Sequence, residues 1–366
     1  GPATAEGSVW IKESVKGGEL SDPFLFSGWS ERCAWIKNDG DQSVQFLFEV
    51  DRTGNKGWTQ LKVVEVGARS ALFLPFTENE TGEWIRVNAN KNTIATVTFS
   101  YTTKEARLTN ADKMFKGIAD VHDNNSCGGL LYGLGDNRRS LGVLANTTVN
   151  GQTTETGYYE MKDKFQLVRV EDPKTSSFIR DKFAIPRQVV SIEEGSVLVV
   201  DDKSRRWRLP LGDDKFTSAT NNGELRICRE VATERDLLNC HGTFYELPAE
   251  NADGFAKIRP ISSHLFKIND YASYRGMLII TGVNLQNSSD NPHIIISEDK
   301  KAAVWAGVID DLWQLGKPTG HGGPWVNSKV QANKASDPYL IGFYDKRILK
   351  LSHKESKTIH FTVEVD

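Results

Sequence analysis

The chain has little cysteine, no long apolar run and no excess of charge of either sign. Its four cysteines, Cys33, Cys127, Cys228 and Cys240, make no C-x-x-C pair, so the spacing offers no structural zinc site. Cys228 and Cys240 are placed to meet across a hairpin as a disulfide; free, buried thiols are the other reading. No stretch of about 18 apolar residues is present to span a membrane. Lys and Arg number 45 against 48 Asp and Glu, a net charge of −3. With no basic excess to neutralise phosphates, nucleic-acid binding has no electrostatic support. No P-loop, G-x-S-x-G, helix-opening G-x-G-x-x-G, H-E-x-x-H or EF-hand loop occurs, which removes nucleotide, serine-hydrolase and zinc-protease chemistry. Neither metal nor cofactor is expected. Helical periodicity is nearly absent. The opening Gly1-Pro2-Ala3-Thr4 reads as the scar of a cleaved tag, with residues 1–6 a tail, so the lack of a signal peptide carries no information. The oligomeric state is left open.

What is present is repetition. Gly7–Asp51 aligns without a gap to Gly322–Asp366, an offset of 315 residues. Trp10 falls on Trp325, Ser21-Asp22-Pro23 on Ser336-Asp337-Pro338, Leu25 on Leu340, Arg32 on Arg347, Phe46 on Phe361 and Glu49-Val50-Asp51 on Glu364-Val365-Asp366. Between the copies a shorter pattern recurs, two apolar arms around a polar turn. It spans Leu130–Ala145 (turn Asp136-Asn137-Arg138), Tyr158–Val170 (Lys162-Asp163-Lys164), Val197–Leu211 (Asp202-Lys203-Ser204), Ile294–Ile309 (Asp299-Lys300-Lys301) and Leu340–Leu351 (Asp345-Lys346-Arg347). Polar turns between half-buried arms are the hairpin signature. Short, self-similar strands predict an all-β propeller or an array of sandwiches. An offset of 315 is seven lengths of 45 residues, an ordinary blade, and matching ends suit a ring whose terminal strands share one blade. The expectation is one β-propeller over residues 7–366, seven-bladed, with terminal repeats 7–51 and 322–366. Two sandwich modules flanking a central domain is the alternative. After Asp51 the first copy runs on through two more strands to Phe99, whereas the second stops at Asp366; truncation, or closure by the N-terminal strands, would each account for this.

Chemistry concentrates in loops. His122, His241, His264 and His321 lie in polar, Gly- or Asn-rich stretches, and an imidazole near neutrality suits acid–base work. The densest stretch, Arg226–Arg275, holds Arg229, Glu230, Glu234, Arg235, Asp236, His241, Tyr245, Glu246, Arg259, His264, Asp270, Tyr271, Tyr274 and Arg275. Plain surface hairpins with snorkelling charges would explain the same residues. Asp310–Pro318, with Trp313, followed by His321-Gly322-Gly323-Pro324-Trp325, is a Gly/Pro loop with aromatic borders, a natural platform for sugar rings. Trp325 has a repeat partner in Trp10, which favours a structural role for both.

The stretches Asn239-Cys240-His241-Gly242-Thr243-Phe244-Tyr245-Glu246-Leu247-Pro248, Leu312-Trp313-Gln314-Leu315-Gly316-Lys317-Pro318 and Ser336-Asp337-Pro338-Tyr339-Leu340 resemble a group of secreted bacterial proteins from glycan-degrading species. The expected architecture is loosely similar to seven-bladed propeller lyases and rhamnosidases acting on rhamnose–glucuronate glycans. The resemblance implies a secreted or periplasmic protein with a glycan partner. If the glycan contains uronates, β-elimination is favoured over hydrolysis, and the density of the Arg226–Arg275 stretch points to Arg275 or Arg259 for neutralising the uronate carboxylate. His241, His264 and Tyr245 are the proton-transfer candidates. Tyr271, Tyr274, Trp313, His122 and His321 are the further substrate contacts. A non-enzymatic glycan-binding propeller is the alternative, and convergence of the four loop histidines is what would separate the two.

Overall fold

Alternation sets the first half-dozen strands. In Val44-Gln45-Phe46-Leu47-Phe48-Glu49-Val50, the valines and phenylalanines at every second position are buried to 1% exposure or less, as a strand with one face on a core requires. In the computed structural model, which describes residues 3–134, 140–232, 235–288 and 290–365, the chain forms two compact units, Gly1–Ala106 and Arg107–Asp366. The chain is all-β, with several four-stranded antiparallel sheets. No described helix is long and apolar enough to cross a membrane.

The first unit is a two-sheet sandwich. Its strands are β1 (Thr4–Val15), β2 (Phe24–Leu25), β3 (Glu31–Asn38), β4 (Val44–Asp51), β5 (Trp58–Val66), β6 (Ser70–Phe76), β7 (Trp84–Ala89) and β8 (Thr93–Thr102). They pair in the orders β1-β8-β3-β6 and β2-β7-β4-β5. One core joins the inner faces, with Ala34, Ile36, Val97 and Phe99 meeting Phe46, Phe48, Val50 and Val87. Residues 4–6, expected as a tail, belong to β1.

The second unit is built from meanders. β9 (Ser126–Leu134), β10 (Ser140–Val149), β11 (Gln152–Lys162) and β12 (Gln166–Arg169) form the first sheet. After helix α1 (Pro173–Lys182) come β13 (Ser191–Ile192), β14 (Val197–Val200) and β15 (Arg206–Leu209). Helix α2 (Lys215–Asn221) leads to β16 (Cys228–Ala232), β17 (Arg235–Cys240), β18 (Thr243–Pro248) and β19 (Arg259–Ser263). β20 (Tyr271–Tyr274), β21 (Met277–Ile280), β22 (Ile294–Ile296) and β23 (Ala303–Gly307) complete the fourth sheet. Shared cores pack the fourth sheet against the first, through Tyr274 and Val304 with Leu131 and Tyr159. They also pack it against the third, through Tyr271 and Trp305 with Leu237 and Phe244. The third sheet meets the second through Leu238 and Tyr245 with Val197 and Leu209.

Three hairpins form where their turns are written, around residues 162–164, 202–204 and 299–301. The β9–β10 hairpin also forms, its turn Asp136-Asn137-Arg138 lying outside the described residues, as do Glu234 and Asp366. Three further readings meet the structure as follows. The chain is two units rather than one over residues 7–366, because the first closes its own core without a strand from the second. Of the two readings of Cys228 and Cys240, free thiols hold, with Cys240 buried and Cys228 exposed; Cys228 pairs across the ladder with Leu238. The terminal repeats do not share a shape. Residues 7–51 supply β1 to β4, whereas 322–365 contain no described strand, and Trp10 is buried while Trp325 is 40% exposed. The reason is the pairing. β1 pairs with β8, β2 with β7, β3 with β6 and β8, and β4 with β5 and β7. Every ladder partner of the first copy lies in the residues that follow it, 58–102, so the repeated pattern by itself contains none of its own pairing.

One buried ion cluster ties three sheets of the second unit. Asp270, wholly buried, accepts from Arg226 Nε at 3.0 Å and from Arg229 Nη1 at 2.9 Å. It also accepts from the Leu131 amide of β9 at 2.9 Å. Removing the carboxylate leaves two guanidiniums without their counter-charge, which costs about 3–5 kcal/mol for a buried pair. Asp270→Asn is therefore expected to lower the stability of the second unit by that amount. The check is chemical denaturation read by hydrogen exchange at β9 and β20, which separates this unit from the sandwich; an unchanged midpoint would show that the cluster is not structural.

Candidate functional site

The turn after β15, Leu211-Gly212-Asp213-Asp214, is the point to which the loop histidines come. His321 pairs with Leu211 through both backbone bonds, at 2.9 and 3.0 Å. The Gly212 amide donates to His241 Nδ1 at 2.8 Å. His122 Nε2 donates to Asp213 Oδ2 at 3.2 Å. Phe216, one residue into α2, sets its ring 5.9 Å from both the His241 and the His264 rings.

Two tight turns make this approach possible. His241 and Gly242 form the two-residue loop between β17 and β18, with φ of 49° and 80°. Positive φ at both positions is the type I′ requirement, met cheaply by glycine and tolerated by His more than by most residues. A Cβ on Gly242 would lie 2.5 Å from the Phe216 ring, and one on Gly212 would lie 2.4 Å from the His241 carbonyl. Glycine at both places lets the two turns face each other at van der Waals distance.

The four histidines divide into two kinds. His241 is 3% exposed. Since its Nδ1 accepts from Gly212, its Nε2 carries the proton and donates to Thr217 Oγ1 at 3.1 Å. Burial drives its pKa down to about 4 against the raising effect of Asp214, and the nearby His321 lowers it further. His264 is likewise buried. Its Nδ1 accepts from the Phe266 amide and its Nε2 meets Asn239 Oδ1 at 3.2 Å, and burial takes its pKa to about 3. Both are neutral, and both rings are fully engaged. They hold turns in place and do not present a base to solvent, contrary to the proton-transfer role expected for them. His122 and His321 are exposed. His122 is held through Nε2, so Nδ1 is the nitrogen left to accept a proton. Asp213 is kept below the usual carboxylate range, first by the Lys215 amide and then by His122.

The remaining candidates stand on other partners. Tyr245 is wholly buried, and desolvation, with the Tyr344 phenol beside it, pushes its pKa well above the usual tyrosine value. Tyr271 is equally buried and donates to the Leu237 carbonyl at 2.8 Å. Tyr274, 1% exposed, packs edge-on to Phe165. Arg275 is exposed at the β20–β21 turn with its guanidinium over the Tyr274 ring. Arg259, also exposed, covers Phe343, and Trp313 is half-buried beneath Arg107. The tyrosines are core residues, and the two arginines are engaged with different rings on different strands.

Asp213, Asp214 and Thr217 were not singled out from the sequence. The signal that marks them is a Gly-Asp-Asp turn directly after an apolar arm, with a hydroxyl three residues on. In the first unit a cleft of ≈ 250 Å³ is lined by Trp29, Arg32, Arg52, Glu78, Thr81 and Glu83 among others. Trp29 packs on Tyr101, and Arg52 donates to the Thr81 carbonyl and hydroxyl.

No family model matches this chain, and no curated protein does. Among solved structures, the crystal structure of PirA is similar over 27% of this chain and 92% of its own, at 14% identity and a TM-score of 0.19. A protein of Bacillus endospore appendages, described as a novel family of disulfide-linked pili, covers 28% of this chain and 92% of its own, at 16% identity and a TM-score of 0.20. Likeness at this level carries no argument about fold or function.

The depressed histidines make a pH prediction. A His with a folded pKa of about 4 and an unfolded value near 6.5 binds its proton more tightly when unfolded. Its stabilising contribution is complete above pH ~6.5 and is lost as pH falls through about 4, roughly 3 kcal/mol for one such group. His241→Asn keeps an acceptor for Gly212 and tolerates the left-handed backbone. The variant is expected to remain folded at pH 7 and to lose less stability than the parent between pH 6.5 and 4. Parallel denaturation curves across that range are the measurement, and identical slopes would remove His241 as a source of the pH dependence.

Proposed function

We propose that this chain is a carbohydrate-active enzyme whose acid–base group is His122, oriented by Asp213. The observation that carries the reading is the exposed His122–Asp213 pair, 3.2 Å apart, on a turn that also receives His241 and His321. An imidazole held at Nε2 by a carboxylate presents Nδ1 as acceptor, and the carboxylate favours the imidazolium that forms. His321, exposed beside the same turn, supplies a second proton-transfer group. On a uronate glycan, His122 takes the C5 proton, the C4–O bond breaks as the C4–C5 double bond forms, and His321 protonates the departing oxygen. On a neutral glycan the same pair serves hydrolysis. Arg259 and Arg275 each cover an aromatic ring, Phe343 and Tyr274, and do not neutralise the substrate carboxylate.

The architecture supports a propeller-like reading of the second unit. Each of its four sheets is drawn from consecutive strands, and each packs face to face on another, as blades do. Seven blades over the whole chain do not belong to this reading, because the first unit is a sandwich. A secreted or periplasmic location follows from the glycan assignment.

The first unit favours a second, binding role. An aromatic face at Trp29 beside the charged groups Arg32, Arg52, Glu78 and Glu83 is the composition of a sugar subsite, stacking on one side and hydrogen bonding on the other.

Turnover on acidic and neutral polysaccharides, followed by reducing ends and by the ultraviolet absorbance of unsaturated uronates, tests the enzyme reading. His122→Ala is expected to lower kcat by about 10²–10⁴ with an unchanged melting temperature. Full turnover in the variant would remove His122 from the site. No turnover by the parent on any glycan, with retention on a glycan column lost in Trp29→Ala, would leave the binding role alone.

A further inference from the structure

The inner face of β3 carries two polar side chains among apolar ones, Arg32 and Asn38, and both are buried. Only one of them is satisfied. Asn38 donates to the Gln42 and Gly67 carbonyls and accepts from the Thr93 hydroxyl and the Gly40 amide. Arg32, 7% exposed, lies between Phe76 of β6 and Tyr101 of β8, with its guanidinium 4.1 Å from the Phe26 ring centroid. Two of its nitrogens reach the Phe26 and Thr77 carbonyls, each at 3.3 Å, and its Nε has no hydrogen-bond partner among the described residues. The Tyr101 hydroxyl, also buried, has none either.

The charge is unanswered as well. Glu80, whose field reaches Arg32, is committed to Lys62 at 2.7 Å and to the Thr77 amide at 2.6 Å. Glu83 accepts from Ser27 Oγ at 2.9 Å, and the exposed Glu78 faces Lys104 at 4.0 Å. Desolvation lowers the Arg32 pKa and raises that of Tyr101, as befits a cation and a phenol held out of water. A guanidinium buried without a counter-ion costs stability, and such a group calls for an anion from outside the chain. The place for one is open. Arg32 lines the cleft of ≈ 250 Å³ that also takes in Trp29, Arg52 and Thr81.

We propose that this cleft binds a sugar acid, its carboxylate received by Arg32 Nε and the Tyr101 hydroxyl and its ring stacked on Trp29. The inference rests on the binding role proposed for the first unit and names its ligand. Two donors are without acceptors, one N–H and one O–H, and a carboxylate brings two oxygens, so a single group answers both. A neutral hydroxyl would satisfy a donor and leave the charge unpaired; a carboxylate removes both costs. Trp29 stands beside these donors, its ring 5.9 Å from that of Tyr101 and half-buried, which leaves an aromatic face for the C–H surface of a pyranose. Glu78 and Glu83 on the rim are acceptors suited to ring hydroxyls, and Arg52 adds positive charge on the same rim.

The probes are methyl β-glucuronide and methyl β-glucoside, which differ only in the carboxylate, with sodium sulfate as a third arm. Each is titrated into the full chain labelled with nitrogen-15, and the arginine Nε–H resonances are followed. The Arg32 signal is the one absent from Arg32→Met. The glucuronide is expected to shift that signal and to bind about tenfold more tightly than the glucoside, the worth of one charged hydrogen bond. Arg32→Met fills the same space without a charge, so it should melt no lower than the parent and lose the preference for the glucuronide. Tyr101→Phe deletes only the hydroxyl and keeps the test alive should Arg32→Met fail to fold; it is expected to weaken glucuronide binding several-fold at an unchanged melting temperature. Equal binding of the two glycosides overturns the sugar-acid inference and leaves the binding role of the first unit standing, whereas binding of neither removes both. Sulfate that shifts the Arg32 signal as strongly as the glucuronide would mark a general anion site and overturn the inference too.

Discussion

Asp270 is the fixed point of the second unit. Its carboxylate has no access to water, and it sits between two guanidiniums that are themselves mostly buried. Taking such charges out of solvent costs more than their attraction returns unless every remaining donor and acceptor is met. Here they are met. Arg226 Nη2 donates to the Phe183 carbonyl as well as to Asp270, and Arg229 gives its other terminal nitrogen to the Leu131 carbonyl. Thr281 receives the Asp270 amide and donates to the Gly129 carbonyl. These groups come from β9, from β16 and the stretch before it, and from both ends of the β20–β21 hairpin. A slip of any one sheet by a residue would leave a charge unpaired in the core, which is a steeper penalty than a misplaced aliphatic group. The cluster thus fixes register among three sheets whose apolar faces alone would tolerate several.

Fixing those sheets also fixes the loops at their ends. The Arg226 amide donates to the Asn269 carbonyl, and Asn269 Oδ1 accepts from Gly129. The strand that leaves this region, β17, ends in the His241–Gly242 turn. That turn meets Gly212 and Phe216, and through them the Asp213–His122 pair. The buried histidines serve as spacers with two hydrogen bonds each, and low pKa values keep them neutral so that they do not demand water. The exposed pair is left as the chemical end of the arrangement. Solvent access separates the two kinds of histidine here, His241 and His264 holding turns and His122 and His321 facing water.

The sequence made the strands legible and the histidine convergence half legible. Hairpins with local partners, such as Val197–Leu209 and Ile294–Gly307, show both arms and the turn in one window, so alternation and turn chemistry agree. Helix α1 was missed although Asp172-Pro173 is a proper start signal, with the Asp172 side chain capping Thr175. Only Ile179 of that helix is buried, so the apolar stripe that would reveal it is nearly blank. The density of His, Tyr and Arg between 226 and 275 does not separate exposed side chains from buried ones. Tyr245, Tyr271 and Tyr274 fall on core faces, and a phenol buried in a core reads in sequence like a phenol in a cleft. Asp213, by contrast, lies outside that density and is paired with a residue 91 positions away, a distance no local pattern carries.

The repeat was the strongest sequence signal and the least faithful guide to shape, and the two facts have one cause. A meander sheet such as β9 to β12 contains its own ladder within a short stretch, so a copy of it brings its partners along and folds alike wherever it stands. Half of an interleaved sandwich contains no ladder at all. Residues 7–51 become strands only because 58–102 return between them, each arm pairing with chain that comes later. Such a half carries the apolar alternation, the Ser-Asp-Pro bend and the terminal Glu-Val-Asp, which are local, while its hydrogen-bond partners lie outside it. Since most of the free energy that holds a strand comes from pairing and burial against neighbours and little from intrinsic propensity, a faithful copy can remain extended and uncovered. A repeat in sequence over 45 residues therefore predicts a repeat in fold only when the segment is closed under its own pairing.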